Sequence, residues 1–370
     1  MFTLTNTTIG ITGSEGLLGW HLRTILHSQN VSAHAGVRST FAGRPALVEF
    51  VKQCDVIVHF AGMNRGDEAE VAKTNIALAE ELIAACREAN RQPFIIFSSS
   101  TQIHKDTPYG RSKKACTERF NAWAVQTGAK FCNLILPNVF GEGGKPFYNS
   151  VVSTFCHQIA NELKPKIVVD QEIELVHAQE VAVRILDIIK TGQAGEVTVK
   201  GTLITVSALL QKVHDLAETY KHGVMPKLDN SFDFNLFNTY RSYLFPQHYP
   251  MGLEDHRDER GTLFEAVKSL AGSMTFISHT KPGVTRGDHF HLHKIERFLV
   301  LSGKARISIR KLFQQEIVDF AAAGNQPKYL DIPTLHTHNI TNTGTEDLIT
   351  LFWSYGIFDP ENPDTFKEKV

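Results

Sequence analysis

The first 200 residues alternate short apolar runs with longer amphipathic stretches. "TTIGIT", "VSAHAGV", "CDVIVHFAG", "QPFIIFSSS" and "KFCNLILPN" read as strands, while stretches such as "EVAKTNIALAEELIAACREAN" place their apolar residues on one helical face. Short apolar strands separated by helices predict a doubly wound α/β fold around a parallel sheet. From about residue 246 the pattern changes. "SMTFISHT", "IERFLVLSGKARISI", "PKYLDIP", "HTHNITN" and "DLITLFWSYG" are short alternating strands punctuated by Gly, Pro and Asn, without helices between them. That succession predicts an all-β sandwich or jelly-roll barrel. The Pro-rich "YLFPQHYPMG" at 243–252 marks the boundary, giving domains at 1–245 and 246–370.

Composition changes this picture in few places. A chain of 370 residues, 42% hydrophobic, has material for two or three proper cores. A net charge of −1, from 38 basic and 39 acidic residues, leaves no electrostatic footprint for a nucleic acid or a membrane surface. No apolar run approaches the roughly 20 residues of a membrane helix. The N-terminus lacks a basic segment followed by an apolar core, so a signal peptide is not expected and the expected compartment is the cytoplasm. The five cysteines (Cys54, Cys86, Cys116, Cys132 and Cys156) lie among apolar neighbours without CxxC spacing and read as reduced core residues. Histidine is the outlier: eight of 17 fall between His248 and the C-terminus, whereas cysteine stops at Cys156.

The first strand runs into "TGSEGLLG", with Gly13, Gly16 and Gly19 spaced three apart ahead of helix-forming residues. Glycine lets the backbone turn tightly and approach a pyrophosphate, which then rests on the positive end of the next helix. The turn predicts a dinucleotide site, supported by Asp55 in "DVIVHFAGMN" and by Asn75 in "TNI" on the following helix. An NAD site places a carboxylate on the ribose about 20 residues after the glycines. No Asp or Glu lies between Glu15 and Glu49, whereas Arg38 ends the second strand, and a cation there suits the 2′-phosphate of NADP(H). Farther on, "SSSTQIHKDTPYGRSK" sets Lys113 one helical turn past Tyr109. A free tyrosine donates its proton poorly near neutrality, with a pKa of about 10. Lys113 is expected to lower that value and to grip the nicotinamide ribose, Ser100 to hold the substrate oxygen, and Tyr109 to protonate a carbonyl as hydride arrives at its carbon.

In the β region, "GDHFHLHKIERFLVLSG" sets His289, His291 and His293 at alternate positions with Glu296 just beyond. Alternate strand residues share a face. His289 and His291, with Glu296 returning on the next strand and His338 from "PTLHTHNITN", form a ligand set of imidazoles and a carboxylate suited to Zn2+, with one position open. Such ligand sets also serve Fe2+ and Mn2+.

These motifs carry resemblances. The glycine turn, "HFAG", the Ser–Tyr–Lys set, "LPNVFGEG" and "ELVHAQEVA" resemble, in order, the extended short-chain dehydrogenase/reductase family that acts on nucleotide sugars, over about residues 5–240. That resemblance implies a Rossmann fold, brings Asn138 to the sugar and places His177 by the substrate region. The loop from Ser100 to Tyr109 is shorter than in most relatives, which leaves Ser98, Ser99 and Ser100 as alternatives, the third being the expectation. The β region resembles the cupin family, with Gly283, His289, His291, Glu296 and Gly303 matching its first motif and Pro333, His338 and Asn342 its second, Leu335 standing where the family has glycine. "DERGTLFE" and "GVTRGDHF" also resemble cupin epimerases of 4-keto-6-deoxy nucleotide sugars, in which the residue matching His289 is a catalytic base. With the whole ligand set present, ligation is the expectation for His289, which leaves the base to His293 or a metal-bound hydroxide, with Tyr355 as the counter-acid. A C4 ketone acidifies the C–H at C3 and is itself reducible, so epimerisation must precede reduction. The order of the two domains resembles bacterial capsular-polysaccharide synthesis enzymes of the CapF type, which implies zinc, a homodimer and a UDP-linked 4-keto-6-deoxy amino sugar on the route to UDP-N-acetyl-L-fucosamine. The alternative is a plain NADPH-dependent reductase whose cupin half serves assembly.

Overall fold

The computed structural model of the chain describes residues 4–253, 255–258, 261–264, 267–270, 273–355 and 361–370. It divides into two compact units, Met1–Thr154 with Ile167–Ala208, and Phe155–Lys166 with Leu209–Val370. Among the described residues no helix is long and apolar enough to cross a membrane.

The first unit is built from strands β1 (Ile9–Thr12), β2 (Ala33–Gly36), β3 (Val56–His59), β4 (Phe94–Ser100), β5 (Phe131–Leu136), β6 (Asn138–Phe140), β7 (Glu172–His177), β8 (Gly195–Thr198) and β9 (Thr202–Thr205). Its helices are α1 (Leu17–Ser28), α2 (Arg44–Lys52), α3 (Glu68–Glu88), α4 (Pro108–Thr127) and α6 (Ala178–Thr191), and the divisions between the units fall within α5 (Val151–Ala160) and after Ala208 in α7 (Val206–Lys221). Six strands form the expected parallel sheet in the order β2-β1-β3-β4-β5-β8. β1, β3 and β5 are buried throughout, which is why they read as largely apolar runs without polar alternation. Ile57, Ile95 and Phe97 turn one face of the sheet towards α2, α3 and α4, where Leu82, Phe120 and Trp123 complete the core. The chain leaves β1 towards β2 on one side and β3 lies on the other, so the order reverses there and opens a crevice at the carboxyl ends of the strands.

The second unit holds β10 (Val224–Met225), helix α8 (Ser231–Ser242), β11 (Met251–Gly252), the hairpin β12 (Asp255–Asp258) and β13 (Gly261–Phe264), β14 (Lys268–Ser269), and then, among the described residues, strands without helices. These are β15 (Ser273–Thr280), β16 (Thr285–Phe290), β17 (Glu296–Ser302), β18 (Lys304–Lys311), β19 (Ile317–Ala323), β20 (Lys328–Ile332), β21 (His336–Asn342), β22 (Leu348–Tyr355) and β23 (Phe366–Lys367). Two five-stranded antiparallel sheets result, β11-β20-β17-β22-β15 and β19-β18-β21-β16-β23. Alternation gives β17 two functions: Phe298 packs on Phe352 and beside the His338 ring, whereas Arg297 points to the other face. There Arg297 donates to both Asp331 carboxylate oxygens through one guanidinium edge, Nε at 2.7 Å and Nη2 at 3.1 Å, and the Tyr220 hydroxyl of α7 donates to the same carboxylate. Arg241 of α8 donates to the Ile332 carbonyl at 2.5 Å. These buried polar links bind α7 and α8 to the strands. Residues 209–245, which the change of sequence pattern assigns to the first domain, therefore belong to the second compact unit.

Candidate functional site

In the first unit the glycine turn lies between β1 and α1. Gly13 takes a φ of +67°, and a Cβ there would lie 2.9 Å from the Ala61 nitrogen; a Cβ on Gly19 would lie 2.3 Å from the Gly13 carbonyl. Gly16 precedes helix α1 as an N-cap without a side chain, so the first helical N–H groups are open to an anion. The turn, too tight for a Cβ at Gly13 or Gly19, fits a dinucleotide pyrophosphate. Ser14 ties the turn to the end of β2 through the Gly36 carbonyl, and Arg38 stands exposed just beyond that end.

Two expected cofactor ligands have other employment. Asp55 lies at the amino end of β3: in-register pairing of Ile9 with Val56 and Thr12 with His59 puts the four-residue strand, about 13 Å at 3.3 Å per residue, between it and the level of the glycine turn. Its carboxylate accepts the Thr8 N–H and pairs with Arg91, so it closes the opposite end of the sheet. Asn75 is buried and uses both ends of its amide on Met63, accepting its N–H at 2.7 Å and donating to its carbonyl at 2.8 Å. It shapes the loop after β3.

Helix α4 delivers Tyr109 and Lys113. Thr107 caps it by accepting the Gly110 N–H, Pro108 occupies its first turn, and a Cβ on Gly110 would meet the Gln102 carbonyl at 2.3 Å, so only glycine lets the helix approach the segment after β4 so closely. Lys113 is buried, donates to the Ser98 carbonyl at 2.7 Å, and burial lowers its ammonium to about 8. The expected lowering of Tyr109 is not what this arrangement gives. Burial, and after it the neighbouring Cys116 thiol, push the hydroxyl up to about 12. Of the serines, Ser98 donates to the His59 carbonyl, Ser99 is buried without a hydrogen-bond partner, and half-buried Ser100 accepts the Gln102 N–H, leaving its own proton to donate.

Asn138 is exposed and donates to the Glu174 carbonyl. His177 is 1% exposed and offers no nitrogen to a sugar: Nδ1 accepts the Gln179 N–H at the start of α6, and Nε2 donates to Glu142 at 3.0 Å. Burial opposes the Glu142 charge, but His177 and then His21 overcome it and hold the carboxyl down to about 2. The sequence reading missed this buried group, although Glu142 lies inside the segment "LPNVFGEG".

In the second unit the four expected ligands do converge: one ligand atom from each of His289, His291, Glu296 and His338 lies within 4.8 Å of the others. β16 and β21 supply the first and last. A bulge after Gly287, with Asp288 at a φ of +55°, re-aims the strand so that His289 faces His338 across the pair. Glu296 comes from β17 of the other sheet. The Nε2 atoms of His291 and His338 lie 2.9 and 3.4 Å from the Glu296 carboxylate, yet both are buried and neither makes an aligned hydrogen bond. Two ligands of a tetrahedral Zn2+ at bond lengths of 2.0–2.1 Å stand about 3.3 Å apart. The Nδ1 atoms turn away, to the Asp364 carbonyl at 2.5 Å and the His336 carbonyl at 3.4 Å, so the lone pairs of Nε2 face the carboxylate. This donor set fits a divalent cation. Burial, then the neighbouring imidazoles, lowers His289 to about 4, and burial lowers His338. Leu335 adopts a left-handed turn, at a φ of +61°.

Neither further acid–base candidate joins this cluster. β16 ends at Phe290, so His293 falls in the bend that follows and is exposed. Tyr355 follows Ser354, the cross-strand partner of Glu296, and so projects to the opposite face of the sheet, where its hydroxyl accepts the Leu228 N–H at 3.1 Å. Asp364, 73 residues from His291, carries no local motif and was not foreseen.

Residues 9–200 match the NAD dependent epimerase/dehydratase family, and residues 256–366 match the polysaccharide biosynthesis C-terminal domain. The chain is similar to the UDP-2-acetamido-2,6-beta-L-arabino-hexul-4-ose reductase of Pseudomonas aeruginosa, with 31% identity over 363 residues, 96% of this chain and 97% of the relative. It is also similar to the solved capsular polysaccharide assembling protein CapF from Staphylococcus aureus, at 30% identity and a TM-score of 0.62, covering 98% of this chain and all of that one. The UDP-N-acetylglucosamine 4-epimerase from Bacillus cereus, at 18% identity and a TM-score of 0.54 over 68% of this chain and 99% of its own, shares the fold.

Proposed function

The chain belongs to the NAD dependent epimerase/dehydratase family, among enzymes of the CapF type, and we propose that it uses one ketone for two reactions. The first is C3 epimerisation of a UDP-2-acetamido-2,6-dideoxy-4-keto-hexose in the β-rich segment 246–370, which we read as a cupin barrel. The second is NADPH-dependent reduction of the C4 ketone by residues 1–245, towards UDP-N-acetyl-L-fucosamine for capsular polysaccharide, by a cytoplasmic homodimer. The observation that carries this reading is the convergence of His289, His291, Glu296 and His338 in a chain that also places Tyr109, Lys113 and Ser100 at the carboxyl end of its parallel sheet.

His289, His291, Glu296 and His338 would hold the metal, Zn2+ in the first instance. When bound, such a cation supplies Lewis-acid polarisation of the C4 oxygen, which makes the proton at C3 acidic. In the reductase half, Gly13, Gly16 and Gly19 cradle the pyrophosphate and Arg38 meets the 2′-phosphate. When bound, NADPH would supply the hydride. Tyr109, whose hydroxyl stays protonated at neutral pH, donates to the C4 oxygen; Lys113 holds the ribose, Ser100 the substrate oxygen, and Asn138 the sugar. Reduction comes last because it removes the acidity at C3.

A second reading rests on the name of the Pseudomonas relative, which is that of a reductase only: the β-rich half would then serve assembly alone. Incubating the protein with the 4-keto sugar in D2O without NADPH decides between them. Deuterium is expected at C3, and its entry is expected to stop in His338→Ala. Absence of exchange in the wild-type protein would leave the plain reductase.

A further inference from the structure

The ligand His291 lies beyond the end of its strand, and the groups that fix it come from the far end of the chain. Asp364 accepts three successive backbone N–H groups of the segment that follows His291: Leu292 at 2.9 Å on one carboxylate oxygen, His293 at 2.8 Å and Lys294 at 2.7 Å on the other. Consecutive N–H groups converging in this way form an anion-binding concavity, and here a side chain fills it. The backbone carbonyl of the same residue takes the Nδ1–H of His291 at 2.5 Å. Asp364 adopts a φ of +41°, a conformation Asp tolerates better than most residues and one that lets carboxylate and carbonyl serve the same loop. The tail that carries it is secured. β23 pairs with β16, opposing Lys367 to His289, and Arg310 grips the Glu368 carboxylate at 3.1 Å and the Lys369 carbonyl at 2.5 Å.

We propose that Asp364 is the positioning residue of the metal site, setting the tautomer and direction of His291 through the backbone of residues 291–294. The inference rests on the metal reading above. It goes further by making the affinity of the site depend on the C-terminal segment, with Asp364 as the connecting residue. His338 differs, since its Nδ1 faces a carbonyl of its own strand. Removing the Asp364 carboxylate frees three N–H groups and lets the bend carry the His291 ring away from Glu296.

The test titrates Co2+ into metal-free wild-type protein, Asp364→Ala and Asp364→Asn, following the visible absorption of the bound ion and the thermal midpoint. Asp364→Ala is expected to bind Co2+ about 10- to 100-fold more weakly with an altered visible band, and Asp364→Asn, which keeps one acceptor oxygen, to fall between it and wild type. If Asp364→Ala does not fold, Asp364→Asn decides by the same measurements. Variants that bind Co2+ with wild-type affinity and an unchanged band, whatever their thermal midpoints, overturn the positioning role. Wild-type protein that takes up no Co2+ overturns instead the metal reading beneath it.

Discussion

The two units bring chemical groups together by different means. In the first, the candidate groups stand where the chain leaves the sheet: the glycine turn after β1, the serines ending β4, and Tyr109 and Lys113 in the first turns of α4. Few of them bond to one another. Lys113 rests on the Ser98 carbonyl, and Ser100 caps the segment after β4. In the second unit the cluster lies between two sheets, and cross-strand register aligns its members: His289 opposes His338, while Glu296 enters from β17. A site at a sheet's edge is assembled around its cofactor. A site between sheets is assembled by folding, and its geometry is as good as the packing that surrounds it.

This contrast can be broken most sharply by removing the Tyr109 hydroxyl. Tyr109→Phe is expected to slow reduction about 10²- to 10⁴-fold, the usual contribution of a positioned acid. Deuterium exchange at C3 should persist in that variant at close to the wild-type rate, and its loss would join the two halves into one chemical site. Next in size is the support of the second unit. Burial opposes both charges of the Arg297–Asp331 pair, lowering the guanidinium to about 10 and raising the carboxyl, and two-point contact holds them together. Arg297→Met leaves Asp331 buried and uncompensated, with an expected loss of about 3–5 kcal/mol. Calorimetry should show the transition of the second unit moving down while that of the first stays in place; a common shift of both would show that the units do not melt separately.

The smallest effect concerns pH and belongs to the first unit. The folded-state carboxyl of Glu142 is held at about 2, below its ordinary value of 4.5. A depressed carboxyl contributes stability that is fully present above its unfolded value and is lost as pH falls. Acid unfolding of the first unit should therefore steepen between about pH 4.5 and 2. Glu142→Gln, which keeps the shape without the charge, should flatten that limb in a series of thermal midpoints against pH. An unchanged limb would assign the acid sensitivity elsewhere.

The parallel sheet, the run of β-strands after residue 272 and three of the metal-ligand candidates were legible from short-range periodicity or spacing, while His338 came from a second, distant segment. His289, His291 and Glu296 fall within eight consecutive residues, and the bulge after Gly287 adjusts their aim without changing their order. Asp55 was misread because it precedes β3, whereas ligands of a parallel sheet meet the carboxyl ends of its strands. His177 was misread because the carboxylate that occupies it is 35 residues away in the chain. Tyr355 was misread by one position: alternation sends it to the face opposite Glu296, and that phase is set by the pairing of Ser354.

Taken by itself, the sequence determined which segments become strands and helices, where glycine must allow close approach, and which side chains have the right chemistry, since these follow from local sterics and periodic burial. Tertiary structure decided the rest. It fixed the face each side chain takes, the membership of residues 209–245 in the second unit, and the role of Asp364 beside His291. Those outcomes depend on register and on buried polar groups finding partners far along the chain, and neither is encoded in any short stretch of residues.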